Sequence, residues 1–180
     1  ILDVKFNLQK VPSSNINQII VCPKNLKETF IAFEKYANYT YSVAWIDCLS
    51  KGNDIGRSVL NIGEFANDKV FSLSKKLKIN IPFYFPSFVL NHYTVKIFNF
   101  LYYNLNSKKR KKSKVNYESF FYPLDSILNW NRIYGSKGFT QYQFIFPKKT
   151  SYVGIKSILN KISDKKMGSF LAVLKLYGKS

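Results

Sequence analysis

The sequence predicts an α+β domain: a mainly antiparallel sheet with helices packed on one side. Three observations predict it. Short runs with alternating apolar and polar residues recur near the start and again near the end. Longer runs carry apolar residues at helical spacing. Strands and helices then follow in the order β-β-α-β-β, an irregular section with a helix, and β-α-β, which suits a sheet backed by helices. With 180 residues and 46% hydrophobic content, one domain with a real core is expected.

The elements read as follows. Val4, Phe6 and Leu8 alternate with Lys5, Asn7 and Gln9, which predicts a half-buried strand. Pro12-Ser13-Ser14-Asn15 predicts a turn, and Ile16 to Cys22 a second strand closed by Pro23. Asn25 is a suitable N-cap with Glu28 three residues on, and Leu26, Phe30, Phe33 and Ala37 follow at helical spacing, so a helix is expected from Asn25 to Tyr36. Tyr41 to Asp47 is a strand with Tyr41, Val43, Trp45 and Asp47 on one face. A loop over Lys51 to Gly56 leads to a strand from Arg57 to Phe65. Asn67 to Asn80 shows no period. Ile81 to Pro86 is extended, because each proline pushes its predecessor out of helix. Asn91 to Leu105 predicts a helix on Val95, Phe98, Leu101 and Tyr102. Lys108 to Lys114 carries six cations in seven residues, which predicts a mobile loop. Thr140 to Phe146 predicts a strand, Thr150 or Ser151 to about Lys165 a helix, and Ser169 to Tyr177 a last strand buried on both sides.

Composition bounds the partners. The net charge is +18, from 25 Lys and three Arg (Arg57, Arg110, Arg132) against 10 acids. Such a field attracts nucleic acid, phosphorylated small molecules or an anionic membrane face. The lysine bias argues against base readout, where arginine is favoured. Aromatic residues make up 17%, which also suits a concave site for a ring-shaped ligand. Cys22, Cys48 and His92 have no metal-site spacing, and the two cysteines leave one disulfide open. No apolar run reaches the roughly 20 residues a membrane helix needs. A cytoplasmic place, or one peripheral to the inner membrane, is expected. The sequence opens on Ile1-Leu2-Asp3-Val4 and ends just past an apolar strand pattern, so a piece of a longer protein is expected.

The candidate chemistry sits mainly between Phe120 and Tyr177. On a strand, Gln141 and Gln143 point the same way, and two adjacent amides suit a sugar hydroxyl or the edge of a flavin ring; the plainer reading is that they face water. Lys175 shares a strand face with Leu171, Val173 and Tyr177, so it needs a partner, an anionic ligand or an outlet to solvent. Trp45 reads as a core ring or a ligand wall. Asp47 reads as a loop cap rather than a base. Phe120 and Phe121, adjacent in a non-helical segment, cannot both face one core, so one lines a cleft. Asp125, Trp130 and Arg132 suggest a structural knot. His92, opening a helix, reads as a cap or surface residue. No Ser-His-Asp set, Cys-His pair, P-loop or GxGxxG loop is visible, so reactive chemistry would come from a cofactor held elsewhere.

Several motifs fall in one order: Tyr41-Ser42-Val43-Ala44-Trp45-Ile46-Asp47, Gly56-Arg57-Ser58-Val59-Leu60, Phe121-Tyr122-Pro123-Leu124-Asp125, Trp130-Asn131-Arg132-Ile133-Tyr134-Gly135, Gly138-Phe139-Thr140-Gln141-Tyr142-Gln143-Phe144, Ser169-Phe170-Leu171 and Lys175-Leu176-Tyr177-Gly178. This order resembles the substrate-side domain of the decaprenylphosphoryl-β-D-ribose 2'-oxidase family, FAD-linked oxidases of the vanillyl-alcohol oxidase type. The resemblance covers most of Tyr41 to Gly178. It implies a cap domain, 1–180, whose antiparallel sheet covers a flavin held by a separate FAD-binding domain. It implies oxidation of a ring hydroxyl of a polyprenyl-phosphate-linked ribose in cell-envelope glycan synthesis, hydride passing to FAD, with a short-chain reductase as partner. By motif position, Gln141 and Gln143 would approach the flavin, and Trp45, Phe120, Phe121, Gln143, Lys175 and Tyr177 would line the substrate pocket. No catalytic residue and no metal ligand is implied in this segment, which alone would be inactive. Ile127 and Val43 depart from the family pattern, where a Phe and a small polar residue occur; that leaves the exact sugar open. The Lys108–Lys114 run would be the contact with an anionic membrane. An oxidase of another polyol or aldonolactone is the alternative, and a non-enzymatic nucleic-acid module ranks last.

Overall fold

The computed structural model describes residues 3–72, 78–86, 88–108 and 112–177. Its centre is the pair β2 (Tyr41–Ile46) and β3 (Ser58–Phe65), runs rich in β-branched and aromatic residues that register Trp45 against Val59 and Tyr41 against Gly63. β1 (Asn15–Val21) pairs with the other side of β3, β5 (Lys112–Asn116) with β1, and the two-residue β7 (Val173–Leu174) with β2. The sheet order is β5-β1-β3-β2-β7, antiparallel throughout. A small parallel pair, β4 (Ile79–Asn80) with β6 (Ile127–Leu128), stands apart. The α+β class with a mainly antiparallel sheet is as the sequence indicates.

Strand parity gives the sheet two unlike faces. Ala44, Leu60 and Ile62 point to one face, where they bury against Ala32 and Phe33 of α1 (Leu26–Lys35). α4 (Lys148–Asp164) packs on α1, so Ile155 and Leu159 join Leu26, Ile46, Leu49 and Ile55 in a second cluster. α1 starts where its cap is satisfied: Asn25 Oδ1 accepts from Glu28 N, and Glu28 Oε2 reaches back to Lys24 N. The other face carries Trp45, Val59, Asn61, Gly63 and Gln18. α2 (His92–Ser107) and the one-turn α3 (Tyr117–Phe121) cover its two ends only.

Several expectations need correction. Residues 4–8 form no strand; Val4, Phe6 and Leu8 are exposed, and no described strand offers them an edge. Alternation marks an amphipathic segment, but pairing needs a neighbour. The cationic run is only partly a loop: Lys112 to Lys114 extend β5, an edge strand of the kind that lysine keeps from pairing further, and 109–111 lie outside the described residues. Residues 73–77 of the aperiodic stretch lie outside them too. Phe120 and Phe121 are helical, because the Asn116 side chain caps α3 by accepting from Glu118 N. Residues 140–146 adopt no strand, and the strand expected over Ser169 to Tyr177 shrinks to β7. Cys22 and Cys48 form no disulfide.

Candidate functional site

The Trp45 face supplies the site. Its polar middle is a row in which Gln18 Nε2 donates to Asn61 Oδ1 at 3.0 Å and Ser113 Oγ donates to Gln18 Oε1 at 3.3 Å. Half-buried Val43 adjoins Asn61 in register. Aromatic walls close both ends. At one end the Phe120 ring lies against Gly63; a Cβ there would sit 2.5 Å from its Cζ, so only glycine admits it. Phe121 packs edge-on to Tyr41 at 4.8 Å and to Phe120 at 5.0 Å. At the other end Trp45 meets Tyr102 at 4.7 Å, and Tyr102 stacks on Phe98 at 5.8 Å.

From Phe98 the rings continue outward. Phe98 touches Phe170, Phe170 stacks on Tyr134 at 5.2 Å, and Tyr134 stacks on Phe139 at 4.3 Å, with Trp130 against both. Burial pushes the Tyr134 hydroxyl above its ordinary range. The segment around Trp130 is therefore a structural knot, as its sequence suggested, but without Asp125. Arg132 instead donates to the carbonyls of Ile81 and Pro82, both at 2.9 Å, and lies over the Tyr84 ring. Gly135 has φ +74°, and a side chain there would meet the Phe85 carbonyl at 2.8 Å. The knot fixes the start of the 140–146 ribbon, and Phe146, lying over Gly154 of α4, fixes its end. Between these anchors Gln141, Tyr142, Gln143 and Ile145 are exposed.

The predicted site residues divide accordingly. Trp45 is buried and its indole donates to Phe170 O at 2.8 Å, so it is a core ring that also ends the open valley. Phe120 is buried and Phe121 is partly exposed beside it. Lys175 and Tyr177 are exposed just beyond the end of β7, in residues that form no strand. Gln141 and Gln143 stand on the ribbon, which no described strand pairs. Neither of the two principal cavities, about 710 and 380 Å³, is lined by any of these residues. The valley is the half-buried polar strip between the two ring-lined ends, and none of Gln18, Asn61 and Ser113 lines either cavity. Among the described residues, no three of His, Cys, Asp and Glu gather as a metal site.

Asp47 does cap a loop, accepting from Leu49 N at 3.0 Å, but it does more. Arg57 grips it through Nε at 2.9 Å and Nη2 at 2.8 Å, and Asn99 of α2 donates to it at 2.8 Å. This buried group ties α2 to the sheet and so positions Tyr102 over Trp45. Cys48 exchanges hydrogen bonds with the Ser169 backbone, and burial pushes its thiol up, away from reactivity. Sequence reasoning missed Gly63, Gln18 and Tyr102. The first two had a visible signal: a glycine inside a strand pattern marks close approach, and a glutamine inside an apolar strand marks a polar patch.

In an alignment 153 residues long that covers 79% of the chain, it is 37% identical to decaprenylphosphoryl-β-D-ribose oxidase of Mycolicibacterium smegmatis. The chain is a relative of that oxidase. It spans about a third of the oxidase's own length, 32%. No protein-family model matches it. Among the described residues, no helix is long and apolar enough to cross a membrane.

Proposed function

We propose that this oxidase-related chain is the substrate-side domain, 1–180, of an FAD-linked oxidoreductase that oxidises a hydroxyl of a polyprenyl-phosphate-linked ribose. The identity to the mycobacterial oxidase over 79% of the chain carries the reading. An open valley with aromatic ends supports it, since a half-site of this kind needs a second surface to close it. The described residues fit FAD only in part: two exposed amides suit a ring edge, and the sequence has no glycine-rich loop for the pyrophosphate. When bound, FAD supplies the hydride acceptor. Gln141 and Gln143 would hold the ring edge and the sugar hydroxyls by hydrogen bonds. Lys175, which has no acidic partner among the described residues, would pair with the substrate phosphate. Tyr177 and Phe121 would exclude water beside it, on a floor that Trp45 and Phe120 stiffen. The reductase partner and the cell-envelope pathway belong to this proposal.

The test uses the full-length parent protein. Lys175→Ala should lower kcat/KM for polyprenyl-phosphoryl ribose by about tenfold or more, the value of one charge-assisted hydrogen bond, and Gln143→Ala by about two- to tenfold, the value of a neutral one. Both should leave thermal stability unchanged, and Lys175→Ala should leave flavin absorbance unchanged as well. Unaltered kinetics in both variants, or a parent that turns over an aldonolactone and not the ribose, would refute the reading. The 180-residue chain alone should purify without yellow flavin and without activity.

A further inference from the structure

The outer side of α2 is apolar and uncovered. Tyr93, Ile97, Leu101 and Leu105 follow at intervals of four, and Phe98 and Phe100 flank them; all six are between 43% and 72% exposed. Val95, Asn99 and Asn106 on the opposite side are buried, so the helix is anchored and its apolar side faces out. Phe83, Tyr84 and Phe88, just before the helix, are exposed as well. α2 contains no acidic residue, and Lys96 and Lys108 sit within it and at its end. Beside it lies the 380 Å³ cavity, lined in part by His92, Lys96 and Phe100 of α2 and by Lys51 and Lys166. Among the described residues that line it, Asp54 is the only acid. Lys51 is paired with Asp164, whereas Lys96 and Lys166 have no acidic partner among the described residues. His92 Nδ1 is buried there without a hydrogen-bond partner among the described residues.

An apolar helix face rimmed by cations and free of acids is the pattern of a helix that lies in a lipid interface. A second copy is a poor occupant, because each chain carries +18 and the face carries no acid to offset it. We propose that α2 lies flat on an anionic lipid surface, its apolar side in the headgroup–acyl boundary, with a headgroup phosphate received between Lys96 and Lys166. The proposal stands whether or not the oxidase reading does.

The experiment is co-sedimentation of this chain with vesicles of phosphatidylcholine, with and without phosphatidylglycerol. Binding is expected to the mixed vesicles and to fall with salt. Leu101→Glu should weaken it by about tenfold or more, since it withdraws a buried leucine from the interface. Lys96→Glu with Lys166→Glu should weaken binding to mixed vesicles by about tenfold and leave the weak binding to pure phosphatidylcholine unchanged. These positions are exposed, and unchanged melting temperatures would show that the variants fold. Equal vesicle binding by wild type and Leu101→Glu would overturn the proposal. So would a stable dimer that Leu101→Glu dissociates. Calorimetric binding of inorganic phosphate with no vesicle binding would also overturn it, by making the cavity a site for a free anion.

Discussion

The two faces of the central sheet are built from the same strands and end in opposite states. On the Ala44 face, Leu60 and Ile62 are fully buried under α1, a helix made by the same chain. On the Trp45 face, the middle is polar and half-exposed, Val173 is 51% exposed, and helices guard only the ends. Trp45 itself, at the guarded end, is as dry as the opposite face. The Ala44 face is thus packed along its length, whereas the Trp45 face buries Val59 and Ile16 at its guarded ends and leaves its middle open. The largest expected effect separates two truncations on opposite faces of the sheet, one on β3 and one on β7. Leu60→Ala should lower the unfolding free energy by about 2–5 kcal/mol, and Val173→Ala by less than about 0.5 kcal/mol. Denaturant unfolding measures both. Equal losses would mean that the Trp45 face carries as much of the fold as the Ala44 face.

That asymmetry explains what was legible. α1, β2, β3 and α4 could be read because each meets its partners within the chain, so period and burial coincide; α2 was legible from its spacing alone, since Phe98 and Leu101 of that spacing are exposed. Residues 4–8, 140–146 and 169–177 carry equally good alternation, yet only Val173 and Leu174 find a ladder. Alternation records that a segment has two unlike sides; it does not record whether a distant strand supplies hydrogen bonds. Tyr142, on the opposite side of the expected strand from Gln141 and Gln143, is the plainest case, since its ring is 87% exposed. Of the site, the Trp45 strand and the ring-rich knot were visible as motifs. The Asn99–Asp47–Arg57 contact was not, because nothing local in the sequence links positions so far apart.

The same contact gives the next prediction, since it is what closes one end of the open face. Asp47→Asn leaves the Arg57 guanidinium, only 16% exposed, without its carboxylate. A loss of about 3 kcal/mol is expected, and Tyr102 should part from Trp45, which tryptophan emission would follow. The double variant Asp47→Asn with Arg57→Met should recover most of the loss, because no unpaired charge is left. If the double variant is no better than the single one, the carboxylate acts through the Leu49 cap rather than through the ion pair.

The smallest expected effect concerns the sheet's outer edge. Asp68 accepts from Ser13 Oγ, from Asn15 Nδ2 at 2.9 Å and from Lys114 Nζ at 3.0 Å, and so pins the start of β1 to β5. The Ser13 hydrogen bond, then those of Asn15 and Lys114, hold its carboxyl far below the usual carboxylate range. A folded pKa below the unfolded one means that folding favours the ionised form. Its contribution is therefore complete above the unfolded value, about 4, and drains away as pH falls below that. Asp68→Asn lacks this titration. Melting temperatures of the wild type should thus fall more steeply than those of Asp68→Asn from about pH 5 downward, and the two curves should converge in acid. Because Lys114 is exposed, the gap at neutral pH should be modest and should narrow in salt. Parallel curves would place the acid sensitivity elsewhere than at this edge.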